Sequence, residues 1–278
     1  MKRIHLIIGI SFLCLVVSLT KDAQAESNLN ALELAQKVAS RQANDARVGY
    51  MHFTMRNNTG GERKRSAIVV HAQAPKQTKI GIYFTEPAGL RDTSFLSHDN
   101  TDSTDQNWLY LPATERVRKL PSSSRGDYFM GTDLSYGDIK DNFTFALQDW
   151  DFSLGEPTIK EGKSFYVLHG TAKNEVIKHE IGYASFIAVI DPKTWFPVNI
   201  KYTDTDNSPL KEISILTLDM IADTWIATHF SVLNSQLSHQ TDILITGMQY
   251  VPELPLYLLK PDELPYGAPV SLFKQGGE

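Results

Sequence analysis

The chain reads as a mainly β protein with few helices, built on one large antiparallel sheet of about eleven strands. Strand-type runs follow one another along most of the 278 residues, separated by clusters of Gly, Pro, Asn and Asp. Only one segment carries a convincing helical period. Many runs have bulk on both faces, as where Trp225, Ala227 and His229 alternate with Ile226, Thr228 and Phe230. A sheet of this size that curls around itself encloses an apolar hollow, and such hollows hold ligands or lid elements.

Residues 1–25 have the parts of a cleavable secretory signal: Lys2 and Arg3, an apolar core over residues 6–17, and small residues at Ala23 and Ala25. That core falls short of the roughly 20 residues that span a bilayer. The expected mature chain, residues 26–278, is then an exported single domain with no further membrane span. Its helix starts near Asn30, where Asn30 and Glu33 have capping-box spacing, and Leu32, Ala35, Val38, Ala39 and Gln42 trace one face. Glu33, Lys37 and Arg41 fall on another.

Residues 50–56 and 66–73 flank the turn cluster Asn57, Asn58, Thr59, Gly60 and Gly61, the pattern of a long hairpin. Strand-type runs continue at 79–84, 93–97, 108–111, 116–120, 164–171, 185–190, 198–203, 210–218, 224–233 and 241–248. No Pro/Ser linker or fixed-period repeat divides them.

Cys14, the only cysteine, lies inside the signal core, so the mature chain is expected to have no thiol and hence no disulfide, thiolate catalysis or cysteine metal site. Removing the signal takes away Lys2, Arg3, Lys21 and Asp22, which leaves 24 cations against 31 anions and a net charge of −7. Such a chain is a poor binder of nucleic acid. There is no G-x-S-x-G elbow, no H-E-x-x-H and no glycine-rich phosphate loop, so the expectation is a protein that is not an enzyme and needs no cofactor or metal. His98, Asp99, Asp102 and Asp105 lack the glycine and distal Glu of a calcium loop and read as a solvated loop. His52, His71, His169, His179, His229 and His239 are scattered without ligand-like pairing.

The densest information lies in residues 107–139. Trp108 and Tyr110 alternate with Leu109 and Leu111 in a run that Pro112 ends, and the basic run of Arg116, Arg118 and Lys119 follows. Those three cations are either the solvent face of a strand or a small basic patch for anionic headgroups or an acidic partner. Arg125, Gly126 and Asp127 read as a turn. Phe129 and Met130 lie in a stretch rich in Ser and Gly, an irregular setting that suits a cavity plug.

This stretch resembles the signature of the LolA-like outer-membrane lipoprotein-sorting protein domain family: a Trp-x-Tyr-x-Pro strand, an R-V-R strand and an F-M-G-x-D segment in that order. Glu86, Pro87 and Ala88 leading to Asp92, and Asp191 with Pro197, resemble the family's flanking turns, and the similarity runs over about residues 49–264. Asp92 stands where the family commonly has Gly, and Leu258 or Leu259 where it commonly has Phe. The resemblance implies an incomplete antiparallel β-barrel with a helical or loop lid, whose hydrophobic cavity accepts acyl chains. It implies a periplasmic carrier of lipid or lipoprotein acyl chains, a monomer that works with an inner-membrane transporter or another envelope protein. Trp108, Tyr110, Phe129 and Met130 would line or plug the cavity, and Arg116, Arg118 and Lys119 would meet headgroups or a partner. Two rivals stand beside it: an accessory protein that docks on an envelope transporter or sensor, and a hydrolase built around Asp127, Asp133 and Asp138.

Overall fold

A computed structural model describes residues 29–41, 46–74, 77–100 and 104–275. The expected signal, with Cys14, lies outside the described residues, as do Gln42 and Asp102. The chain divides into Met1–Asn30, of which only residues 29 and 30 are described, and a unit from Ala31 onward.

That second unit opens with α1 (Ala31–Ser40) and continues into β1 (Ala46–Asn57), β2 (Glu62–Ala74), β3 (Gln77–Glu86), β4 (Ser94–Asn100), β5 (Gln106–Leu111) and β6 (Arg116–Leu120). Next come α2 (Tyr136–Asp141), β7 (Trp150–Leu154), β8 (Thr158–Lys160), β9 (Lys163–Ala172) and α3 (Glu175–Ile181). The sheet is completed by β10 (Ser185–Ile190), β11 (Pro197–Thr203), β12 (Pro209–Ile221), β13 (Thr224–Asn234) and β14 (His239–Tyr250). Where about eleven strands were expected there are 14 among the described residues, all in one sheet ordered β6-β5-β4-β3-β2-β1-β14-β13-β12-β11-β10-β9-β7, with β8 on β9. Beyond the twelve runs read from the sequence the additions are β7 and β8, five and three residues long.

The order follows from two antiparallel meanders, β1 to β6 and β9 to β14, fused where β1 pairs with β14. Both outermost strands, β6 and β7, remain unpaired on one side, so the barrel is not closed. β3 and β11 stand six strands apart in this order, which in a flat sheet of about 4.8 Å strand spacing means roughly 29 Å. Yet Ile80 and Ile82 of β3 line the same hollow as Ile200 and Tyr202 of β11. The sheet is therefore strongly curved.

Alternation along the first strands sends side chains to two separate cores. Met51, Phe53 and Met55 of β1 and Ala67 and Val69 of β2 belong to the core on the concave side. Val48 of β1 and Ile68, Val70 and Ala72 of β2 belong to the other, where Leu254, Leu259, Leu264 and Leu272 of the C-terminal segment cover the sheet. This explains why the first strands carry bulk on both faces. The C-terminal segment runs as short 3-10 turns, Leu256–Leu259, Pro261–Tyr266 and Val270–Gln275. Its Leu259 carbonyl accepts from Lys79 Nζ (3.3 Å) and is hydrogen-bonded to His98 Nε2 (2.9 Å). Asp92 adopts φ 66°, a conformation glycine takes without steric cost, which accounts for the glycine common at this place.

Candidate functional site

The chain leaves the sheet at edge strand β6 and re-enters it at the opposite edge, β7, so residues 121–149 must cross the concave face. Local chemistry shapes the crossing. Ser135 caps α2 by accepting from Asp138 N (3.0 Å), and Asp138 returns the bond by accepting from Ser135 N (2.6 Å). Asn142 ends the helix in the left-handed region at φ 45°, followed by Phe143 at φ 62°. Arg41, just past α1, holds both residues by donating from Nη2 to the carbonyls of Asn142 (3.0 Å) and Phe143 (2.5 Å).

Buried polar groups pin the crossing segment to the sheet beneath it. Lys211 of β12 donates to Asp138 and to the Asp133 carbonyl (3.0 Å), and its ammonium stands 4.9 Å from the Tyr183 ring centre. Tyr183 donates to Asp138 (3.1 Å). Asp133 is hydrogen-bonded to His239 Nδ1 (2.6 Å) and accepts from Thr241 Oγ1 (2.6 Å) on β14. Lys140 of α2, itself buried, pairs with Asp141 (2.8 Å), Asp105 (2.9 Å) and Asp99 (3.6 Å). Burial works against that ammonium, but Asp141, Asp99 and Asp105 together hold its pKa above the ordinary lysine value.

Between segment and sheet is a hollow with about 1020 Å³ of space not filled by atoms, part of it continuous with solvent. The sheet supplies Met51, Val69, Ile82, Ile200, Ala227 and Phe230, and the crossing segment supplies Leu134, Ile139 and Phe143. The apolar lining with a few polar groups is that of a small-molecule or chain-binding site. Polar groups enter the lining chiefly as Arg41, Arg47, His71, Asp138 and Asp141. Burial and then the nearby Arg47 pull the Arg41 guanidinium down to about 9.

His71 bonds Arg47 Nη2 through Nδ1 (3.1 Å), and its pKa is pushed down to about 3, first by burial and then by the Arg47 charge. The unfolded imidazole titrates near 6.5, so between these two values the unfolded chain binds a proton that the folded chain does not. This contribution to stability is present above about pH 6.5 and is lost as pH falls toward 3. His71→Phe should flatten the acid-side fall of unfolding free energy by up to about 1.4 kcal/mol per pH unit, measured by denaturant titration from pH 4 to 7. A variant profile parallel to that of the parent protein contradicts this assignment.

The residues singled out in the sequence are placed in different surroundings. Phe129 is fully buried against the rings of Phe95 (5.3 Å), Tyr136 (5.4 Å) and Phe84 (6.1 Å), beside the hollow rather than in its lining. Met130 is half-buried at φ 49°, with its carbonyl accepting from Arg65. Trp108 and Tyr110 face the second core, away from the hollow, and Trp108 packs edge-on to His98 at 4.8 Å. Register divides the three cations: Arg116 and Arg118 lie opposite Leu111 and Leu109, whereas Lys119 lies opposite Trp108 on the other face. All three are exposed. Arg125 pairs with Asp149, and Gly126 lies so close to Gly182 that an added Cβ would come within 2.9 Å of its backbone, so these two residues make internal contacts while Asp127 is exposed. Among the described residues no group of three or more His, Cys, Asp or Glu could hold a metal ion.

A DUF1329-like family model, described as an uncharacterized protein, matches residues 76–265. The chain belongs to this family. A search of the curated proteins finds no match. Among solved structures, a candidate outer membrane lipoprotein-sorting protein domain from Vibrio parahaemolyticus is 21% identical, with a TM-score of 0.77 over 84% of this chain and 98% of that one. A DUF1329 family protein from Desulfovibrio piger is 22% identical, with a TM-score of 0.76 over 84% and 97%. A LolA superfamily protein from Nitrosomonas europaea is 16% identical, with a TM-score of 0.65 over 84% and 99%. At these identities the likeness establishes the LolA-like fold of the family member described here and nothing narrower. Among the described residues no helix is long and apolar enough to cross a membrane.

Proposed function

We propose that this chain is an exported, periplasmic carrier that holds lipid or lipoprotein acyl chains in the hollow between the crossing segment and the sheet. The observation that carries the reading is the apolar lining itself, with Leu134, Ile139 and Phe143 as roof over Met51, Ile82, Ile200 and Phe230 as floor. Moving a chain from water into such a lining gains about 0.8 kcal/mol per methylene, and no covalent step is required. The fold shared with a domain described as outer membrane lipoprotein-sorting and with a LolA superfamily protein supports the same reading. In this reading Phe129 clamps the roof to the floor, and the exposed edge strand with Arg116, Arg118 and Lys119 meets headgroups or a transporter in the inner membrane.

Ala227 gives a direct test, because it is buried, small and in the lining. Ala227→Trp should fill the hollow and weaken binding of a fluorescent fatty acid at least tenfold, with cooperative thermal unfolding retained as the folding check. Binding that survives in a folded Ala227→Trp variant places the ligand elsewhere and overturns the reading.

A further inference from the structure

The charged groups in the lining differ in how they are satisfied. The Asp138 carboxylate accepts from Lys211, Tyr183 and Ser135 N, and Asp141 is engaged by Lys140 at 2.8 Å. Neither carboxylate forms an ion pair with Arg41 among the described residues. Among the described residues the hydrogen bonds of Arg41 go to the main-chain carbonyls of Asn142 and Phe143, and its guanidinium carbon lies 4.0 Å from the Phe196 ring centre. Its Nε is shut off from solvent and has no hydrogen-bond partner among the described residues. By contrast Lys140, Lys211 and Arg125 each have a carboxylate within bonding distance.

A half-buried guanidinium against an aromatic ring, next to a second arginine and without a carboxylate partner among the described residues, is a positive site that an oxyanion would complete. Carbonyl dipoles and a ring face offset part of the cost of its burial but do not neutralise its charge. The planar fork of arginine matches carboxylate and phosphate oxygens, and hydrogen bonds between two charged groups are roughly twice as strong as neutral ones. The position is also suited to a head group, because Arg41 belongs to the same lining as Ile200, Phe230 and Met51, which offer the apolar track for a chain.

On the carrier reading above, we propose that the hollow selects lipids whose head is an oxyanion, a carboxylate or a phosphate, and that Arg41, with Arg47 beside it, receives that head while the acyl chain lies along Ile200 and Phe230. Neutral lipids of the same chain are then second-rate ligands. Burial and the neighbouring Arg47 have already drawn the Arg41 pKa down to about 9, and a bound anion reverses that penalty.

Three probes with one oleoyl chain and different heads test this with the full chain: oleic acid, oleoyl lysophosphatidic acid and monoolein, each titrated calorimetrically. At least one of the two anionic probes should bind about tenfold or more tightly than monoolein, a difference of about 1.4 kcal/mol, and whichever binds better identifies carboxylate or phosphate as the head. In Arg41→Gln this preference should shrink below about twofold, and Arg41→Lys should keep part of it. Equal binding of all three probes by the parent protein overturns the inference and leaves the carrier reading intact. Undiminished preference in a folded Arg41→Gln overturns the role of Arg41. Failure of every probe to bind overturns both. If Arg41→Gln does not fold, the preference of the parent protein and its reduction in Arg41→Lys decide the matter.

Discussion

Asp138→Ala is expected to lower the unfolding free energy by about 3–5 kcal/mol, because it leaves the Lys211 ammonium buried without its carboxylate. The side chains of this pair are 1% and 6% accessible, so solvent cannot replace the lost partner. The Asp133 carbonyl and the Tyr183 ring remain beside Lys211, but they are dipoles and do not carry the compensating charge. Asp138 also caps α2 and accepts from Tyr183, so its removal loosens three contacts of the crossing segment together. Removing both charges should cost less than removing one. Asp138→Leu combined with Lys211→Met is expected to recover a large part of the loss, and denaturant unfolding of the two single variants and the double variant checks it. A double variant as unstable as the sum of the single ones contradicts the pairing.

Phe129→Ala is the second large effect, again about 3–5 kcal/mol, from lost transfer free energy and from the void left among Phe84, Phe95 and Tyr136. Its place in the crossing segment gives the loss a local signature. Phe129 N donates to the Leu134 carbonyl (2.7 Å) and Tyr136 N to the Asp127 carbonyl (3.0 Å), bonds that depend on the segment staying docked. Amide exchange over residues 127–139 should accelerate well beyond that of β1, β2 and β14. Uniform acceleration in the whole sheet contradicts Phe129 as the clamp of the roof.

Every strand run read from the sequence became a strand, because alternation and turn residues are local signals. The runs that were missed are short: Trp150–Leu154 and Thr158–Lys160 gain their place by pairing with β9 rather than by their own pattern. The two missed helices had visible caps, Ser135 with Asp138, and Asn174 followed by Gly182 at φ 78°. In α1 the buried positions are Leu34, Ala35 and Val38, while Leu32 is exposed. Of the charged residues read along this helix, Arg41, just past α1, is part of the site and lies over Phe196 at 4.0 Å, while Lys37 lies over Trp195 at 4.5 Å outside the lining. Nothing local in the sequence marks this, since the partners are more than 150 positions away. The lining itself was equally hidden. Met51, Ile82, Ile200, Ala227 and Phe230 look like ordinary strand residues until curvature brings distant strands around one space. The aromatic and basic signature of residues 107–120 drew notice because it is compact in sequence, yet its two aromatics serve the second core.

The most direct test of the carrier role is native mass spectrometry of the full-length gene product purified from its own host, before and after solvent extraction. A carrier should show a population of mass adducts that extraction removes and that analysis of the extract identifies as lipid or acylated peptide. Repeated recovery of empty protein that also fails to take up a fluorescent fatty acid would contradict it.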